Sequence, residues 1–585
     1  MNHIPYQSRQ GYHKEPFGAV QAGTALVLRI VVPREWGCSG VQLMVGTDSK
    51  VPTAYPMVWE RMEGANEEWW RVSLQIDAPG LYWYRFSCSL AQGVWSIGAG
   101  EGGLGVWGSK TGFPLTVYCE NYAAPNWLKG GVLYQIFPDR FYGSGKPKSG
   151  VPDDRILRVD WGGEPLAEPI RKPNRPESYD FFGGDLAGIT QKLPYLRSLG
   201  VTCLYLNPIF EANSNHRYDT ADYTKIDPLL GTKDDFCALC RTAKEHDIAV
   251  VLDGVFSHTG ADSVYFNRSG RYGVGGAYRD GESPCRAWYK FDEYPHKYRS
   301  WWGVDILPEL QEDDPGYLSF VAGEEGIARR WLRAGASGWR LDVADELPDC
   351  FLDAFAAAVK AEKPDSYVLG EVWEDASDKI SYGERRRYLQ GRQLDSVMNY
   401  PLADAILGFV QGGDARILAE TIETLQEHYP PRALHFAMNH IGTHDTIRAL
   451  TLLGSAQLVG RKAVPLTPEQ KQTAIARLKI AAVLQYTMPG VPCVYYGDEA
   501  GLEGGCDPYN RACFPWGNED AEIQAHYQIL GKLRREHGLF ANAPCRILHA
   551  NGSVISFERV GTDETLCVTI KAGEAPGFEI SFAAQ

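Results

Sequence analysis

Two hydrophobic patterns divide the chain. Over the first 120 residues, short runs rich in β-branched and aromatic residues alternate with turn clusters, as in the strands of a β-sandwich. The predicted strands are Ala25–Val32, Val41–Val45, Trp69–Ile76 and Tyr82–Cys88. From about residue 125, apolar runs alternate with amphipathic helical stretches, which is typical of a parallel α/β fold.

Eight of these apolar runs predict parallel strands, most of them followed by a helix. Eight such units fit a (β/α)8 TIM barrel, whose chemistry lies on the loops after the carboxyl ends of the strands. The predicted strands are Val132–Phe137, Cys203–Leu206, Ala249–Asp253, Gly338–Asp342, Tyr367–Glu371, Ser396–Asn399, Phe436–His440 and Pro492–Tyr496. The predicted helices include Lys233–His246, Pro348–Ala361, Gln470–Thr487 and Asp520–Arg535.

The patterns predict three domains and one insertion. Residues 1–120 form the N-terminal β-sandwich, 121–537 the barrel and 538–585 a short C-terminal β-domain. The connection after the third barrel strand, about residues 259–320, is rich in Gly, Tyr and Trp and shows no clear helix. A connection of that length favours a small inserted domain.

Composition and charge exclude several classes of function. The 585 residues carry a net charge of −15, whereas nucleic-acid binding begins with a basic face. No apolar run reaches the ~18–20 residues of a membrane span, and the first residues lack the apolar segment of a signal peptide. Thirteen cysteines show no framework spacing. These features predict a cytoplasmic protein that binds neither nucleic acid nor membranes.

Acidic, imidazole and aromatic residues follow five of the predicted barrel strands. Because the carboxyl ends of barrel strands meet at one mouth, we expect these side chains to converge on a single site. The residues are Asn215, His216, Tyr218, Asp219, Asp253, His258, Arg340, Asp342, Glu371, Trp373, His444 and Asp445.

Arg340 and Asp342 lie two residues apart on one predicted strand, so their side chains point the same way. A cation in that position keeps the Asp342 carboxyl ionised by direct attraction. An ionised, oriented carboxylate is what a covalent-nucleophile mechanism needs. The alternative interpretation is an ordinary salt bridge at a strand end.

Asp342 and Glu371, on neighbouring strand ends, are the two carboxyls that a retaining glycoside hydrolase requires. One attacks the anomeric carbon, while the other protonates the leaving oxygen and later deprotonates water. We expect the two groups to be ~5–5.5 Å apart, whereas an inverting enzyme would show ~6.5–9.5 Å. A third carboxylate, Asp445, can accept hydrogen bonds from sugar hydroxyls.

The remaining residues of the predicted site suit a sugar ligand. His258 and His444 can donate hydrogen bonds to hydroxyls. The rings of Tyr218 and Trp373 can stack on a pyranose face. Each residue taken singly also has an ordinary interpretation, as a helix cap, a strand-end ion pair or a core histidine.

Four sequence blocks complete the pattern: Phe182–Leu186 (FGGDL), Asn207–Glu211 (NPIFE), His216–Tyr223 (HRYDTADY) and Tyr496–Glu499 (YGDE). Together with the strand-end residues, they resemble the α-amylase family of retaining enzymes acting on α-glucans. Within it the likeness is to the neopullulanase, cyclomaltodextrinase and amylopullulanase group. The resemblance covers about residues 125–540.

The resemblance implies roles for individual residues. Asp342 corresponds to the nucleophile, Glu371 to the acid/base and Asp445 to a carboxylate that stabilises the transition state. The implied substrate-binding residues are Arg340, His258, His444, Asp253, Tyr218, Trp373 and Glu346. The long third connection corresponds to the family's domain B, and residues 1–120 to its N-terminal, carbohydrate-binding-module-like domain, through which members of the group form homodimers.

The chain departs from the group's pattern at four places. The loop after Phe141 (YGSGKPKSG) lacks the Asn and Asp residues that bind calcium there in relatives, and Ser257 replaces a usual Asn. No cofactor is therefore required, and Asp185 is the single candidate calcium ligand. Glu309 and the Asp345–Glu346 pair add negative charge on the acceptor side, so the preferred linkage and acceptor stay open.

Three functions are consistent with these features. The first is hydrolysis of α-1,4 and also α-1,6 links in maltodextrins, cyclodextrins or pullulan. The second is transfer, in which a sugar instead of water captures the glycosyl–Asp342 intermediate. The third is a non-catalytic carbohydrate-binding protein, and it is disfavoured because Asp342, Glu371 and Asp445 are all present.

Overall fold

The structure is a computed structural model that describes residues 3–119, 125–167 and 178–584. The chain forms two compact units. The first unit comprises Met1–Ala123, Asp375–Asp395 and Ala419–Leu434. The second unit comprises Ala124–Glu374, Ser396–Leu418 and His435–Gln585. The predicted boundary between residues 120 and 121 lies outside the described residues.

The first unit contains a ten-stranded, mainly antiparallel sheet. Inward residues from different parts of this sheet, such as Leu28, Ile30, Leu43, Phe86 and Leu115, meet in one hydrophobic cluster, as the predicted β-sandwich requires. The strands are Lys14–Glu15, Val20–Gln21, Ala25–Pro33, Gly40–Gly46, Thr53–Glu63, Glu67–Gln75, Gly80–Leu90, Gly93–Ala99, Gly105–Trp107 and Phe113–Tyr118.

Arg9 connects the N-terminal residues to the helix Ala415–His428, most of which belongs to the first unit. Its guanidinium donates to Glu420 at 2.6 Å, to Glu423 at 2.8 Å and to Glu427 at 3.1 Å. Three carboxylates one turn apart thus bind one cation whose side chain is only 11% exposed. The hydrophobic pattern gave no sign of this long-range contact.

The second unit contains the eight predicted parallel strands, each within one to two residues of its expected bounds. Every strand pairs with its neighbour, the eighth pairs with the first, and a bridge between Met398 and Met438 joins the sixth to the seventh, so the barrel closes. In order they are Leu133–Ile136, Cys203–Leu206, Ala249–Gly254, Gly338–Leu341, Tyr367–Gly370, Ser396–Val397, Met438–Asn439 and Val491–Tyr495.

Helices alternate with the barrel strands along the chain, and several begin at recognisable caps. Thr232 and Thr467 each form a capping box with the residue three positions later. The α-helices are Pro138–Phe141, Leu186–Gln191, Leu193–Ser198, Lys233–Glu245, Pro315–Ala322, Ile327–Arg333, Asp349–Glu362, Tyr400–Val410, Ala415–His428, Pro431–His435, Ala449–Leu453, Pro468–Thr487 and Ala521–Glu536. Short 3-10 helices lie at Arg34–Trp36, Glu101–Gly103, Asn126–Leu128, Arg286–Trp288, Trp301–Gly303, Tyr509–Arg511 and Gly538–Ala541.

The connection after the third strand was predicted to lack a clear helix, and that prediction is wrong at its end. The helix Pro315–Ala322 begins there, because Asp314 accepts the Tyr317 N–H at 2.9 Å and Pro315 occupies the first helical position. The rest of the connection contains one short hairpin, Phe291–Glu293 with Lys297–Tyr298.

Smaller sheets complete the fold. The predicted C-terminal β-domain is a four-stranded antiparallel sheet, with strands Cys545–Asn551, Val554–Val560, Glu564–Lys571 and Gly577–Ala584. Two-stranded ladders join Ile156–Leu157 with Asp180–Phe181, Phe210–Ala212 with Thr220–Ile226, Ile380–Ser381 with Glu384–Arg385, and Leu458–Val459 with Lys462–Ala463. Among the described residues, no helix is long and apolar enough to cross a membrane.

Candidate active site

The register of the fourth and fifth barrel strands brings Asp342 and Glu371 together. Leu341 is opposite Gly370, so the next residue of each strand leaves the sheet at the same level. Gly338 permits this close pairing, because a Cβ at that position would lie 2.1 Å from the Tyr367 carbonyl oxygen.

One guanidinium binds three of the predicted site residues. Arg340 Nη1 donates to Asp342 at 2.7 Å and to Asp253 at 2.8 Å, and its Nη2 lies 2.8 Å from Glu371 Oε2. Arg340 is fully buried, so these charge-assisted contacts are little screened. The two strand-end carboxyls, Asp342 and Glu371, are therefore fixed on adjacent nitrogens of one rigid fork.

Two N–H groups fix the orientation of Glu371. The backbone N–H of Val343 donates to its Oε2 at 2.8 Å, and the indole of Trp373 donates to its Oε1 at 3.1 Å. Val343 has a φ of 37°, in the left-handed region that a β-branched residue rarely adopts. Strain of this kind, directly after Asp342, is found where the backbone serves a functional site.

Burial controls the charge state of Asp342. It raises the pKa of the Asp342 carboxyl well above the ordinary value, Arg340 opposes this rise, and the negative charges of Glu371 and Asp253 add to it. Arg340 therefore favours the ionised form of Asp342 that a nucleophile needs, and burial opposes it.

Asp445 is the most accessible of the predicted carboxylates, with 31% of its side chain exposed. Its Oδ2 lies 3.2 Å from His444 Nε2 and its Oδ1 lies 3.5 Å from Arg511. The surrounding protein displaces much of the water around its carboxyl group, which raises the pKa of Asp445 to about 7, with a further contribution from the negative charge of Glu371. Asp445 is thus a partly exposed carboxylate whose nearest cation is Arg511.

Replacing Asp445 with Asn is expected to raise the melting temperature (Tm) at pH 8 and to change it little at pH 4. The folded-state pKa of about 7 lies above the ordinary value of 3.8, so the stability from protonated Asp445 is present at low pH and is lost as the pH rises through 7. The amide of the Asp445→Asn variant does not ionise, so the variant does not lose this stability at high pH. Calorimetry across this pH range checks the prediction, and an equal Tm difference at both pH values would contradict it.

His444 and Tyr218 form a second part of the site. Gln135 donates to His444 Nδ1 at 2.8 Å, so the proton of the neutral ring is on Nε2. Burial and the positive charges of Arg511 and Arg340 hold the pKa of His444 well below 6.5. The ring of Tyr218 stacks on His444 at 5.3 Å, and its hydroxyl donates to Asp253 at 2.9 Å.

His258 offers an unused polar atom to a ligand. Its Nδ1 contacts the Ser257 hydroxyl at 3.0 Å, while its buried Nε2 finds no hydrogen-bond partner among the described residues. Burial lowers the pKa of His258 to about 4, so the ring is neutral. A buried imidazole nitrogen of this kind is satisfied when a ligand hydroxyl binds to it.

Three residues of the predicted site serve mainly as scaffold. Asp219 accepts hydrogen bonds from the backbone of Asn213 and Ser214, and Asn215 donates to Asp180 at 3.0 Å. His216 contacts the Ser214 hydroxyl, and burial lowers its pKa to about 3. These contacts shape the loop that presents Tyr218.

Asp185 is engaged in a manner that does not fit a calcium ligand. Its carboxylate accepts the N–H of Gly188 at 2.6 Å, caps the following helix, and also binds the Ser144 hydroxyl and the Lys148 ammonium. A protein cation thus occupies the carboxylate that calcium would need. Among the described residues, no cluster of three or more His, Cys, Asp or Glu side chains could hold a metal ion.

Two aromatic residues mark the rim of the site. Trp373 is 48% exposed and stacks on Tyr400 at 4.1 Å between ring centres. Glu346 accepts the indole N–H of Trp302 at 3.1 Å. Trp302 and Tyr400 were missed by the sequence analysis, as were Arg511 and Gln135. The two adjacent tryptophans in Trp301–Gly303 were the one feature of the sequence that could have indicated these residues, because aromatic rings in a Gly-rich loop suit ligand stacking.

A (β/α)8 barrel with carboxylates, neutral imidazoles and exposed rings at the carboxyl ends of its strands defines the class of barrel glycoside hydrolases. Residues 135–532 match the family model described as alpha amylase, catalytic domain. The chain belongs to the α-amylase family.

Relatives of known name support this assignment. The chain is 35% identical to the amylopullulanase of Thermoanaerobacter thermohydrosulfuricus over 614 residues, which cover 95% of this chain and 40% of that protein. It is 35% identical to the cyclomaltodextrinase of Geobacillus thermopakistaniensis over 481 residues, 79% of this chain and 73% of that one. The chain thus spans 40% of the length of this amylopullulanase.

Solved structures show the same architecture. The type III pullulan hydrolase from Thermococcus kodakarensis matches with a TM-score of 0.67 and 26% identity, covering 97% of this chain and 94% of that one. The cyclic α-maltosyl-(1→6)-maltose hydrolase from Arthrobacter globiformis matches with a TM-score of 0.65 and 30% identity over 77% of this chain and 92% of that chain.

Proposed function

We propose that this chain hydrolyses α-1,4 glucosidic bonds, and also α-1,6 bonds, in maltodextrins, cyclodextrins or pullulan, with retention of anomeric configuration. The observation that carries the proposal is the placement of Asp342 and Glu371 on the two nitrogens of one guanidinium fork. The names of the relatives, which include amylopullulanase and cyclomaltodextrinase, favour this substrate class.

The reaction proceeds by two displacements. Asp342 attacks the anomeric carbon, and the glycosidic bond breaks as Glu371 gives its proton to the leaving oxygen. Glu371, now ionised, takes a proton from water, and the resulting hydroxide attacks the same carbon and releases Asp342. Atoms and charges balance, since one water is consumed for each bond cleaved.

Residues around the pair bind the sugar that is cleaved. His258 Nε2 donates to its hydroxyls and Asp445 accepts from them, while His444 Nε2 contacts the Tyr218 hydroxyl and so orients the Tyr218 ring. The ring of Tyr218 covers one sugar face, and Asp253 orients both Tyr218 and Arg340 by accepting hydrogen bonds at 2.9 and 2.8 Å. Because burial keeps both imidazoles neutral, they add no positive charge beside the developing oxocarbenium ion.

Digestion of pullulan and maltohexaose, with products identified by chromatography, tests the proposal. We expect both substrates to be cleaved; panose from pullulan marks α-1,4 cleavage and maltotriose marks α-1,6 cleavage. Longer or newly branched products at high maltotriose would instead favour transfer to sugars. Absence of cleavage on both substrates, with a folded chain, would refute the function.

We also propose that the chain requires no calcium, since the Lys148 ammonium neutralises Asp185. The same digestion in EDTA is therefore expected to proceed at the same rate. A loss of rate restored by calcium would contradict this.

We also propose a cytoplasmic location. All thirteen cysteines are free thiols, which suits a reducing compartment.

We propose, in addition, a homodimer through the N-terminal β-domain. Val58 and Trp59 are 65% and 51% exposed on the β-domain and are candidates for an interface. Analytical ultracentrifugation tests the dimer, and a single monomeric species at micromolar concentration would refute it.

A further inference from the structure

We propose that Asn510 is a positioning residue for the reaction, because its side-chain amide holds the loop on which Asp445 lies. Asn510 is part of the short 3-10 helix Tyr509–Arg511, in the connection after the eighth barrel strand. In this role it acts through the Asp445 carboxylate and not by binding sugar itself. This inference rests on the proposed function and adds to it a residue that the sequence analysis did not single out.

The amide of Asn510 binds the backbone on both sides of Asp445. Its Nδ2 donates to the carbonyl of His444 at 2.7 Å and to the carbonyl of Thr446 at 2.8 Å. A side-chain amide has two N–H donors, and both are used on this one loop. The chain that enters Asp445 and the chain that leaves it are therefore bound to a single planar group.

The chemistry of the two acceptors fixes the orientation of this amide. Only the amide nitrogen can face two carbonyl oxygens, since the amide oxygen would be repelled by both. The Asn510 Oδ1 is buried and has no hydrogen-bond partner among the described residues. The loop that carries Asp445 thus determines how the Asn510 side chain is placed.

Asn510 is itself held from the barrel. Its backbone carbonyl accepts from Arg448 Nε at 2.8 Å and from the Tyr495 hydroxyl at 3.2 Å. Arg448 is fully buried and also donates to Asp498 at 3.0 Å, so its guanidinium is fixed in turn. Tyr495 is the last residue of the eighth barrel strand. Asn510 therefore connects a rigid strand end to the loop of Asp445.

The Asp445 carboxylate has weaker contacts of its own than the other two carboxyls. Among the described residues, its side chain contacts His444 Nε2 at 3.2 Å and Arg511 at 3.5 Å, at the long end of the hydrogen-bond range. Asp342 and Glu371 lie 2.7 and 2.8 Å from a buried guanidinium. The direction of the Asp445 carboxylate therefore depends on its backbone, which the amide holds.

A displaced carboxylate is expected to lower turnover more than substrate binding. A misplacement of about 1 Å at a reacting centre can cost about 10²-fold in rate. For Asn510→Ala we expect kcat on maltohexaose to fall by about 10- to 100-fold, with KM changed by less than about threefold. Asn510→Ser keeps one donor for the loop, and its kcat is expected to lie between those of Asn510→Ala and the wild type.

A double-mutant cycle with Asp445→Asn separates positioning from a general effect on structure. If Asn510 acts through the Asp445 carboxylate, Asn510→Ala lowers kcat/KM in the wild-type background but changes it by less than about twofold in Asp445→Asn. The substrate is α-maltosyl fluoride, because its fluoride leaves without protonation and weakened variants stay measurable. Fully additive effects of the two substitutions would overturn the proposal.

Asn267→Ala is the matched control, because the buried Asn267 amide also binds two carbonyls of one loop. It donates to Gly273 at 3.0 Å and to Gly275 at 2.6 Å. Alanine at its φ of 59° adds strain, so this variant is expected to lose at least as much Tm as Asn510→Ala while keeping wild-type kcat. An equal fall of kcat in both variants would assign the effect to lost stability and overturn the proposal.

The remaining outcomes separate this inference from the proposed function. Unchanged kcat in a folded Asn510→Ala chain, checked by circular dichroism, would overturn the positioning role and leave the proposed function intact. If Asn510→Ala does not fold, Asn510→Ser takes its place in the cycle. A wild-type chain that cleaves neither maltohexaose nor the fluoride would refute the proposed function itself and, with it, this inference.

Discussion

Replacing Glu371 with Gln is expected to lower kcat on maltohexaose by about 10²–10⁴-fold while leaving substrate binding nearly intact. The amide keeps the size of the side chain and can still accept from Val343 N–H, but it cannot give a proton to the leaving oxygen. The loss is expected to be smaller on α-maltosyl fluoride, because fluoride departs without protonation.

Steady-state kinetics and isothermal titration with maltohexaose measure these two quantities. Glu374→Gln, an exposed carboxyl three residues away, is the matched control and is expected to keep wild-type kcat. Turnover like the wild type in Glu371→Gln would remove Glu371 from the acid/base role. A uniform loss on both substrates would point to disturbed folding of the loop.

Replacing Asp342 with Asn is expected to lower kcat by at least about 10⁴-fold, and by the same factor on maltohexaose and on α-maltosyl fluoride. Both substrates need the nucleophile, so leaving-group ability cannot compensate. The expected pattern therefore differs from that of Glu371→Gln in its dependence on the leaving group.

Removing the charge of Asp342 is not expected to unfold the chain, because burial penalises its ionised form. Circular dichroism and Tm measurements control for folding. Asp345→Asn, three residues further along, is the matched variant and is expected to lose much less. If Asp342→Asn retained more than a hundredth of the wild-type rate, Asp342 would not be the nucleophile.

The sequence was most informative where local pattern and fold coincide. Buried parallel strands are continuous apolar runs, so all eight barrel strands could be located. Once the barrel was predicted, its geometry required the strand-end residues to converge. The ion pair between Arg340 and Asp342 followed from strand alternation alone.

The sequence was least informative where contacts join distant segments. Gln135 fixes the tautomer of His444 across 309 residues, and Arg9 binds three glutamates more than 400 residues away. No local periodicity encodes such pairs. The backbone strain at Val343 and Trp302 was equally hidden, because neither residue type favours the left-handed region.

Lys148 changes the interpretation of Asp185 as a candidate calcium ligand. The FGGDL block alone presents Asp185 as a carboxylate near a loop. Only the structure places the Lys148 ammonium on that carboxylate and uses its other oxygen to cap a helix. A lysine in a loop of glycines and prolines has no pattern that predicts its partner.

The most direct measurement is mass spectrometry of the chain after reaction with a 5-fluoro-α-maltosyl fluoride, which forms the glycosyl ester readily and releases it slowly. We expect one added glycosyl group per chain, located by peptide sequencing on Asp342. An adduct on any other residue would contradict the assignment of the nucleophile. Turnover that releases the inverted anomer would show that Asp342 and Glu371 do not work as a retaining pair.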